Sequence, residues 1–286
     1  MGRIGVIGGS GVYDIQGISG LKAVSISTPF GKPSDKIVTG RLEGRDIAFL
    51  PRHGKGHRIS PSAINYRANI FAMKKLGVDR IISVTACGSL REDLKPLDFV
   101  VPDQFVDRTN HARQMSFFDD GIVAHVSFAD PVCPGLADVL VRCGRSLGFT
   151  VHAPATYLNM EGPAFSTRAE SNLYRTWGMD VIGMTNMSEA RLCREAEICY
   201  ATLAAVTDYD CWYVSKEQVT VEMVIRNLCK NVDNAKKILK LAVKQMPEKI
   251  YCPCESALKD AIITDRKKIP AKVKKDLAPI IGKYIK

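Results

Sequence analysis

The chain has 286 residues, 46% hydrophobic and 24% charged, so it can bury a substantial core as one large or two ordinary domains. No stretch approaches the roughly 18 consecutive apolar residues of a membrane span, and the short glycine-rich start is unlike a secretion signal. We therefore expect a cytoplasmic protein without a membrane partner. The formal net charge of +10 is concentrated near the C-terminus. Because these basic runs lack interleaved aromatics and nucleic-acid motifs, solubilising lysines explain them better than nucleic-acid binding.

Short β-rich runs alternate with helical patterns along most of the chain. Several of the runs are apolar throughout, which is typical of strands covered on both faces. The predicted strands are 3–9, 46–52, 80–86, 98–103, 155–162, 180–185 and 199–208. The predicted helices are 64–76, 135–147, 168–177, 188–197 and 219–246.

This alternation predicts an α/β fold: a single domain with a mixed, largely parallel central sheet flanked by helices. We assign residues 1–250 to this domain. Pro247 and Pro253 interrupt the helical pattern, so residues 251–286 form a C-terminal extension packed on the same domain. Further helices are expected there at 257–263 and 271–285.

Polar side chains follow five of the apolar runs, at the points where the predicted strands end. Ligands of open α/β sheets bind beyond the carboxyl ends of the strands, so these side chains are candidates for one site. They are Ser10, Arg52 with His53, Thr85, Thr185 (directly after Met184), and Thr207 with Asp208.

The glycine-rich turn after the first strand has glycines at 8, 9 and 11, but matches neither the dinucleotide fingerprint nor the P-loop. Its backbone and the Ser10 hydroxyl can still approach an anion, although a structural turn is an equal alternative. Arg52 offers a fork of donors suited to phosphate, and His53 can add another. A solvated basic loop, or hydroxyls that cap helices, would explain the same residues.

Nine cysteines are scattered along the chain, mostly inside apolar segments, as expected of small buried hydrophobic residues. Their odd number and long spacing argue against a secreted disulfide framework. Only Cys252 and Cys254 are close together, and one intervening residue is not the usual spacing of a zinc site. No metal is expected, and the redox state of this pair is open.

Six segments of the chain carry a family resemblance. They are GVIGGSG (5–11), PRHGKGHRISPSAINYRAN (51–69), VTACGSL (84–90), EGPAFSTRAES (161–171), RTWGMDVIGMT (175–185) and VTDYDCW (206–212). Together they resemble the trimeric purine nucleoside phosphorylases, and within that family the branch that uses methylthioadenosine. The resemblance runs in the family's order over about residues 3–230.

The resemblance implies a nucleoside phosphorylase-like fold and a pentosyl transfer in purine and methionine salvage. Inorganic phosphate, a co-substrate, would attack the anomeric carbon and release adenine and 5-methylthioribose 1-phosphate, with no metal or organic cofactor. The implied phosphate site is Ser10, Arg52, His53, Thr85, Ala86 and Thr185. Met184 would lie against the ribose, with Phe165 stacking on the base and Ser166 hydrogen-bonded to it.

The same resemblance gives the two acids after the last strand their roles. Asp208 would protonate or hydrogen-bond the departing purine at N7. Burial and the neighbouring charge of Asp210 would raise its pKa far enough to keep a proton. Asp210 would accept a hydrogen bond from the exocyclic amine and so favour adenine. Strand-end acids that cap a helix or face water are the alternative.

The resemblance also implies an apolar pocket for the 5′ substituent, formed by Val221, Val224 and Ile225 at the start of a late helix. His125 would close this pocket from a neighbouring subunit, which implies a homotrimer or a dimer of trimers. On sequence alone, an ordinary buried helix face explains the three aliphatic residues better.

The chain departs from the family at one place. Relatives usually carry Thr-Val-Pro-Glu after the Gly-Met-Thr motif, whereas this chain has Asn-Met-Ser-Glu at 186–189. A shift in affinity or base tolerance is expected there.

Three alternative functions stay open: a broader purine nucleoside phosphorylase using adenosine, inosine or methylthioinosine, a hydrolytic nucleosidase, and a nucleic-acid-binding protein using the basic tail.

Overall fold

The computed structural model describes residues 2–9, 11, 15–110, 113–213 and 221–285, with the side chains of 221–225 outside the description. Eleven strands form one mixed sheet in this part of the chain. They are β1 Arg3–Gly8, β2 Ser19–Val24, β3 Ile37–Leu42, β4 Arg45–Pro51, β5 Val78–Ser89, β6 Phe99–Val100, β7 Gln104–Arg108, β8 Val151–His152, β9 Thr156–Met160, β10 Val181–Gly183 and β11 Cys199–Tyr209.

Seven α-helices accompany the strands in the described residues. They are α1 Tyr66–Lys75, α2 Pro134–Ser146, α3 Arg168–Thr176, α4 Asn186–Glu195, α5 Val221–Gln245, α6 Ala271–Asp276 and α7 Ala278–Ile281. All seven predicted strands and all five predicted helices of the main domain are present, with ends shifted by a few residues.

The sheet follows the order β2-β3-β4-β1-β5-β10-β9-β7, and β11, β6 and β8 continue from the other edge of β5. Among the described strands, the pairings of β1 with β4 and β5, of β11 with β5, and of β9 with β10 and β7 are parallel, as is that of β6 with β8. The other four pairings are antiparallel. The prediction of a mixed, largely parallel sheet is confirmed.

Strand β5 divides the sheet. On one edge β1 pairs with β5 as far as Ser83, and β10 begins to pair only at Gly88. Residues 84–87 thus have no partner on that edge among the described strands, while β11 pairs along the opposite edge. The gap between β1 and β10 is a switch point of the kind at which α/β sheets bind ligands.

Helices cover both faces of the sheet, which is why its central strands are apolar throughout. On one face Ile4 and Val6 of β1 pack in a core with α2 and α5. On the other face Ile7 packs in a second core with α1 and α4. Because successive strand residues point to opposite faces, one short strand contributes to both cores.

The C-terminal residues include one wrong prediction. The segment 257–263 forms turns and a bridge from Ile262 to Ala124, not a helix. The helix expected at 271–285 is split into α6 and α7, with Leu277 between them. Ile280 and Ile281 of α7 are buried in the same core as α1. The boundary at residue 250 stays a prediction. No helix among the described residues is long and apolar enough to cross a membrane.

Candidate active site

A cavity of about 380 Å³ occupies the gap between β1 and β10. It contains most of the residues that the sequence placed at strand ends, because those ends meet at this edge of β5. The predicted site residues that line it are Arg52, His53, Thr85, Ala86, Phe165, Met184, Thr185, Asp208 and Asp210.

Arg52 follows β4 and its side chain is almost completely buried, at 2% exposure. Its Nε donates to Glu189 Oε1 at 2.5 Å, and its Nη2 donates to Glu189 Oε2 at 3.2 Å and to Ser83 Oγ at 2.6 Å. Nη1 donates to the Val84 carbonyl at 3.1 Å. Four of the five N–H groups therefore have partners within the protein, and a single Nη1–H has none among the described residues and can meet a ligand.

The charge of Arg52 is balanced within the protein. Burial alone would lower its pKa, but the charge and hydrogen bonds of Glu189 raise it above its usual value. Arg52 thus stays cationic at every working pH, and its orientation is fixed by a bidentate ion pair. The sequence predicted a phosphate-binding fork, whereas the structure directs most of that fork at groups of the protein, with two of its N–H groups at Glu189.

His53 lies next to Arg52 and is neutral at physiological pH. Burial and the positive charge of Arg52 lower its pKa to about 4. Its Nδ1 is 2.8 Å from the carbonyl oxygen of Ile59. Because a carbonyl can only accept, Nδ1 carries the proton and Nε2 is an acceptor. The sequence suggested a second donor to an anion, but this tautomer can accept a hydrogen bond from a P–OH group instead.

Three further residues of the predicted anion site lie around the N-terminus of α4 and the unpaired stretch of β5. Thr85 and Ala86 belong to that stretch. Thr185 is the N-cap residue of α4, but its side chain makes no capping hydrogen bond. Its hydroxyl is 3.2 Å from Asn186 Oδ1. The positive end of a ten-residue helix therefore faces the cavity, an arrangement that favours anions.

Asp208 lies immediately after an irregularity in β11. Val206 pairs with Cys87 and Asp208 with Gly88, so Thr207 is an extra residue between them. Such bulges redirect the side chains that follow. The Thr207 hydroxyl donates to Asp208 Oδ1 at 2.5 Å. Burial raises the pKa of Asp208 to about 6, although the Thr207 hydrogen bond lowers it, and the charge of Asp210 adds to the rise.

Asp210 completes the acidic end of the cavity. Its side chain is 8% exposed, and its Oδ2 is buried without a hydrogen-bond partner among the described residues. A buried unpaired carboxylate oxygen is unfavourable, so a donor from a ligand would stabilise it. Gly88 faces both acids: a Cβ atom there would be 3.5 Å from Asp210 Cβ and 3.7 Å from Asp208 Oδ2.

The sequence did not identify Arg113, which supports the middle of the cavity. Its side chain is buried, and its Nη1 donates to the Met184 carbonyl at 2.6 Å. Its Nε donates to Glu161 Oε1 at 3.0 Å. Met184 packs against Gly162, where a Cβ atom would come within 2.5 Å of the sulfur. Arg113 lies outside every predicted strand end, so no local signal marked it.

The departure from the family pattern lies below the cavity. Asn186 is fully buried, and its Nδ2 is within 3.2 Å of the side-chain oxygens of Ser83, Tyr200 and Thr202. Ser83 also donates to Glu189, so Asn186 belongs to the network that holds Arg52. It does not line the cavity. An effect on affinity would therefore act through Thr185 and Arg52.

The structure leaves several predicted residues apart from the cavity or undescribed. Ser166 is buried beside Met160, with its Oγ 3.7 Å from Met160 Sδ, and does not line the cavity. His125 lines a different cavity of about 790 Å³. Ser10 and the side chains of Val221, Val224 and Ile225 lie outside the described residues. Farther along α5, three residues line the active-site cavity: Leu228, Asn231 and Val232.

Asn231 is a second residue that the sequence did not identify. Its Nδ2 donates to the Val206 carbonyl at 2.8 Å, just before the bulge. Its Oδ1 is buried and has no partner among the described residues. A polar residue on the apolar face of a long helix was the available signal.

Comparison with known proteins gives a consistent result. Residues 3–244 match the phosphorylase superfamily. The chain is 55% identical over 282 residues to an S-methyl-5′-thioadenosine phosphorylase of Geobacter sulfurreducens, covering 99% of both chains. It is also 55% identical to the protein of that name from Koribacter versatilis, covering 99% of this chain and 96% of the relative.

Solved structures agree. A methylthioadenosine phosphorylase from an Antarctic soil metagenomic library superposes with a TM-score of 0.92 at 50% identity, covering 98% of both chains. A mutant adenosine/methylthioadenosine phosphorylase from Schistosoma mansoni, solved in complex with methylthioadenosine, gives a TM-score of 0.82 at 37% identity. That match covers 91% of this chain and 96% of the other.

Proposed function

Because the chain belongs to the phosphorylase superfamily, we propose that it catalyses the reversible phosphorolysis of S-methyl-5′-thioadenosine. Phosphate attacks the anomeric carbon, and adenine and 5-methylthioribose 1-phosphate are released. Full-length relatives at 50–55% identity carry this activity in their names. The observation that carries the proposal is one cavity that joins a protonatable acid, Asp208, to an anion-binding end.

At the base end, Asp208 is the general acid. Cleavage of the glycosidic bond places negative charge on the purine, which a proton delivered near N7 neutralises. A pKa of about 6 lets Asp208 hold a proton in a useful fraction of molecules near neutrality. Asp210 presents its unpaired Oδ2 to the exocyclic amine of adenine. This pairing is our explanation for a preference for 6-aminopurines.

At the anion end, the protein positions phosphate and does not react with it. Thr85, Thr185 and the start of α4 supply donors, and Arg52 adds one N–H and a fixed positive charge. His53 accepts from a P–OH group, so it favours a protonated form of phosphate. The negative charge of phosphate then stabilises the cationic sugar between the two ends. No covalent nucleophile and no cofactor are required by this scheme.

Two parts of the proposal depend on family resemblance alone. Val221, Val224 and Ile225 would form the pocket for the methylthio group. His125 would reach that pocket from a neighbouring subunit, in a homotrimer or a dimer of trimers. In this single chain His125 lies in another cavity, with its backbone N–H bonded to the Ala261 carbonyl.

The test is adenine release from methylthioadenosine with and without phosphate. Phosphorolysis requires phosphate and yields the sugar 1-phosphate, whereas a hydrolytic nucleosidase releases adenine equally well without it. Adenosine and inosine are then compared as substrates. Inosine as the best substrate would replace our proposal with the broader purine nucleoside phosphorylase, an alternative that the names of the relatives do not favour.

A further inference from the structure

A cluster of four cysteines lies apart from the active-site cavity. The Sγ atoms of Cys133, Cys199, Cys252 and Cys254 all lie within 4.8 Å of one another. The Sγ atoms of Cys199 and Cys252 are 3.4 Å apart. None of the four lines the cavity between β1 and β10. We call this group the thiol cluster.

The thiol cluster joins three separate parts of the fold. Cys133 is the N-cap residue of α2, and Cys199 is the first residue of β11. The other two cysteines flank Pro253, in the segment that follows α5. A backbone hydrogen bond from Cys133 N–H to the Tyr200 carbonyl, at 2.8 Å, holds the first two parts together.

The burial of the thiol cluster suits a closed structural site. Cys133, Cys199 and Cys254 are at most 9% exposed and belong to the core formed with α2 and α5. Cys252 is partly buried against the same core. The alternative without a metal is that the four thiols pack as small hydrophobic residues. That alternative explains the burial, but not why four sulfur atoms from three segments converge on one point.

The spacing of the sulfur atoms matches metal chemistry. Four sulfurs at roughly 2.3 Å from a tetrahedral zinc ion lie roughly 3.8 Å from one another. The observed separations include 3.4 Å and extend to 4.8 Å, so small side-chain movements bring all four into reach of one ion. Thiolates are soft ligands that select zinc over magnesium or calcium. The positive end of α2 at Cys133 also favours a thiolate.

We propose that the thiol cluster binds one Zn²⁺ ion as a tetrathiolate structural site. The ion ties the segment around Cys252 and Cys254 to the start of β11 and to α2. The sequence did not predict this site because its ligands are far apart along the chain. Cys133 is 66 residues from Cys199, and Cys199 is 53 residues from Cys252. All four positions are filled by protein, so the site leaves no open coordination position for catalysis.

Metal analysis of the full-length protein, purified under reducing conditions and without added metal, tests the proposal. One zinc per chain is expected. Cys252→Ser should lose most of this zinc, whereas Cys229→Ser, a control at an exposed cysteine outside the thiol cluster, should retain it. A chelator should lower the thermal midpoint of the parent protein and of the control, but have little effect on Cys252→Ser.

A second measurement avoids the risk that a variant fails to fold. The unmodified protein, stripped of metal and reduced, is titrated with Co²⁺ under anaerobic conditions. Saturation at one ion per chain, with the visible absorption of tetrahedral thiolate ligation and displacement by Zn²⁺, would support the site. Failure of the folded, reduced protein to take up either ion would overturn the proposal. The proposal would also be overturned if these cysteines were joined as disulfides. Intact-mass measurement would show this as a loss of two hydrogens for each disulfide.

Discussion

The two ends of the active-site cavity treat buried charge in opposite ways. At the anion end, Arg52 is paired with Glu189, and Ser83 and Tyr200 also bond to that carboxylate, so the charge of Arg52 is compensated before any ligand binds. At the base end, Asp208 has a raised pKa, and Asp210 has a buried oxygen with no partner in the part of the chain that the structure describes. The buried charge at the anion end is thus paired within the protein, whereas the buried carboxyl groups at the base end would be stabilised further by a ligand.

The largest effect should come from removing the acid at the base end. We expect Asp208→Asn to lower the turnover of methylthioadenosine by about 10²–10⁴-fold, because an amide cannot deliver a proton to the leaving purine. Steady-state phosphorolysis and far-UV circular dichroism measure activity and fold together. Asp46→Asn, at an exposed position in a surface ion pair, is the control and should be fully active. Unchanged turnover in Asp208→Asn would remove that residue from the mechanism.

Breaking the ion pair at the anion end should mainly lower the stability of the protein. Glu189→Gln leaves the buried charge of Arg52 without its counter-ion, which typically costs about 3–5 kcal/mol. Urea unfolding should therefore show a much lower free energy of unfolding, and the KM for phosphate should rise as Arg52 loses its fixed orientation. Glu92→Gln, on the exposed surface, is the matched control. Equal stability of the two variants would mean that Arg52 does not depend on this ion pair.

The base end should respond in the opposite sense. The pKa of Asp208 is about 6 in the fold against an ordinary value of 3.8, so the folded state loses stability as the pH rises from 3.8 to about 6, and the full loss remains above that. Relative to the parent, Asp208→Asn should gain about 2–3 kcal/mol of unfolding free energy at pH 8. The gain should shrink as the pH falls from about 6 towards 3.8, and it should vanish only well below 3.8, where the acid is protonated in both states. A stability difference that does not change with pH would contradict this assignment.

The smallest effect is expected on the choice of base. Asp210→Asn replaces an acceptor by an amide that can also donate, so the exocyclic amine of adenine loses a favoured partner and a 6-oxo group gains one. A change of about 1–3 kcal/mol predicts that the ratio of adenosine to inosine efficiency falls by roughly five- to 150-fold. Competition assays with both nucleosides measure this ratio directly. An unchanged ratio would show that Asp210 does not face the base.

The sequence predicted the cavity because its residues follow apolar strands. Parallel strands buried on both faces give long apolar runs, and Arg52, Thr85 and Asp208 each stand at or near the end of one. The exposed edge strand β2 gave no such signal, and β8 is only two residues long. These two strands were missed, as were β3 and β7, but none of the four contributes a residue to the cavity.

Other features depend on contacts between distant residues, which no local pattern carries. Glu189 is 137 residues from Arg52, so their pairing could not be inferred from either segment. The hydrogen that His53 directs at the Ile59 carbonyl fixes its tautomer, and residue type alone could not predict that choice. The extra residue at Thr207 depends on the register between β11 and β5. The sequence therefore predicted which polar residues line the cavity, but not which groups their side chains hydrogen-bond to.

Strand β5 runs beneath both ends of the cavity without interruption. Val84 accepts a hydrogen bond from Arg52, and Gly88 lies under the two acids. Four residues of extended chain separate these positions, which corresponds to roughly 13 Å. The distance between the anion end and the base end of the cavity is thus set by the covalent geometry of one strand. Deleting one residue from this stretch would shorten that interval by roughly 3.3 Å and turn every following side chain to the opposite face.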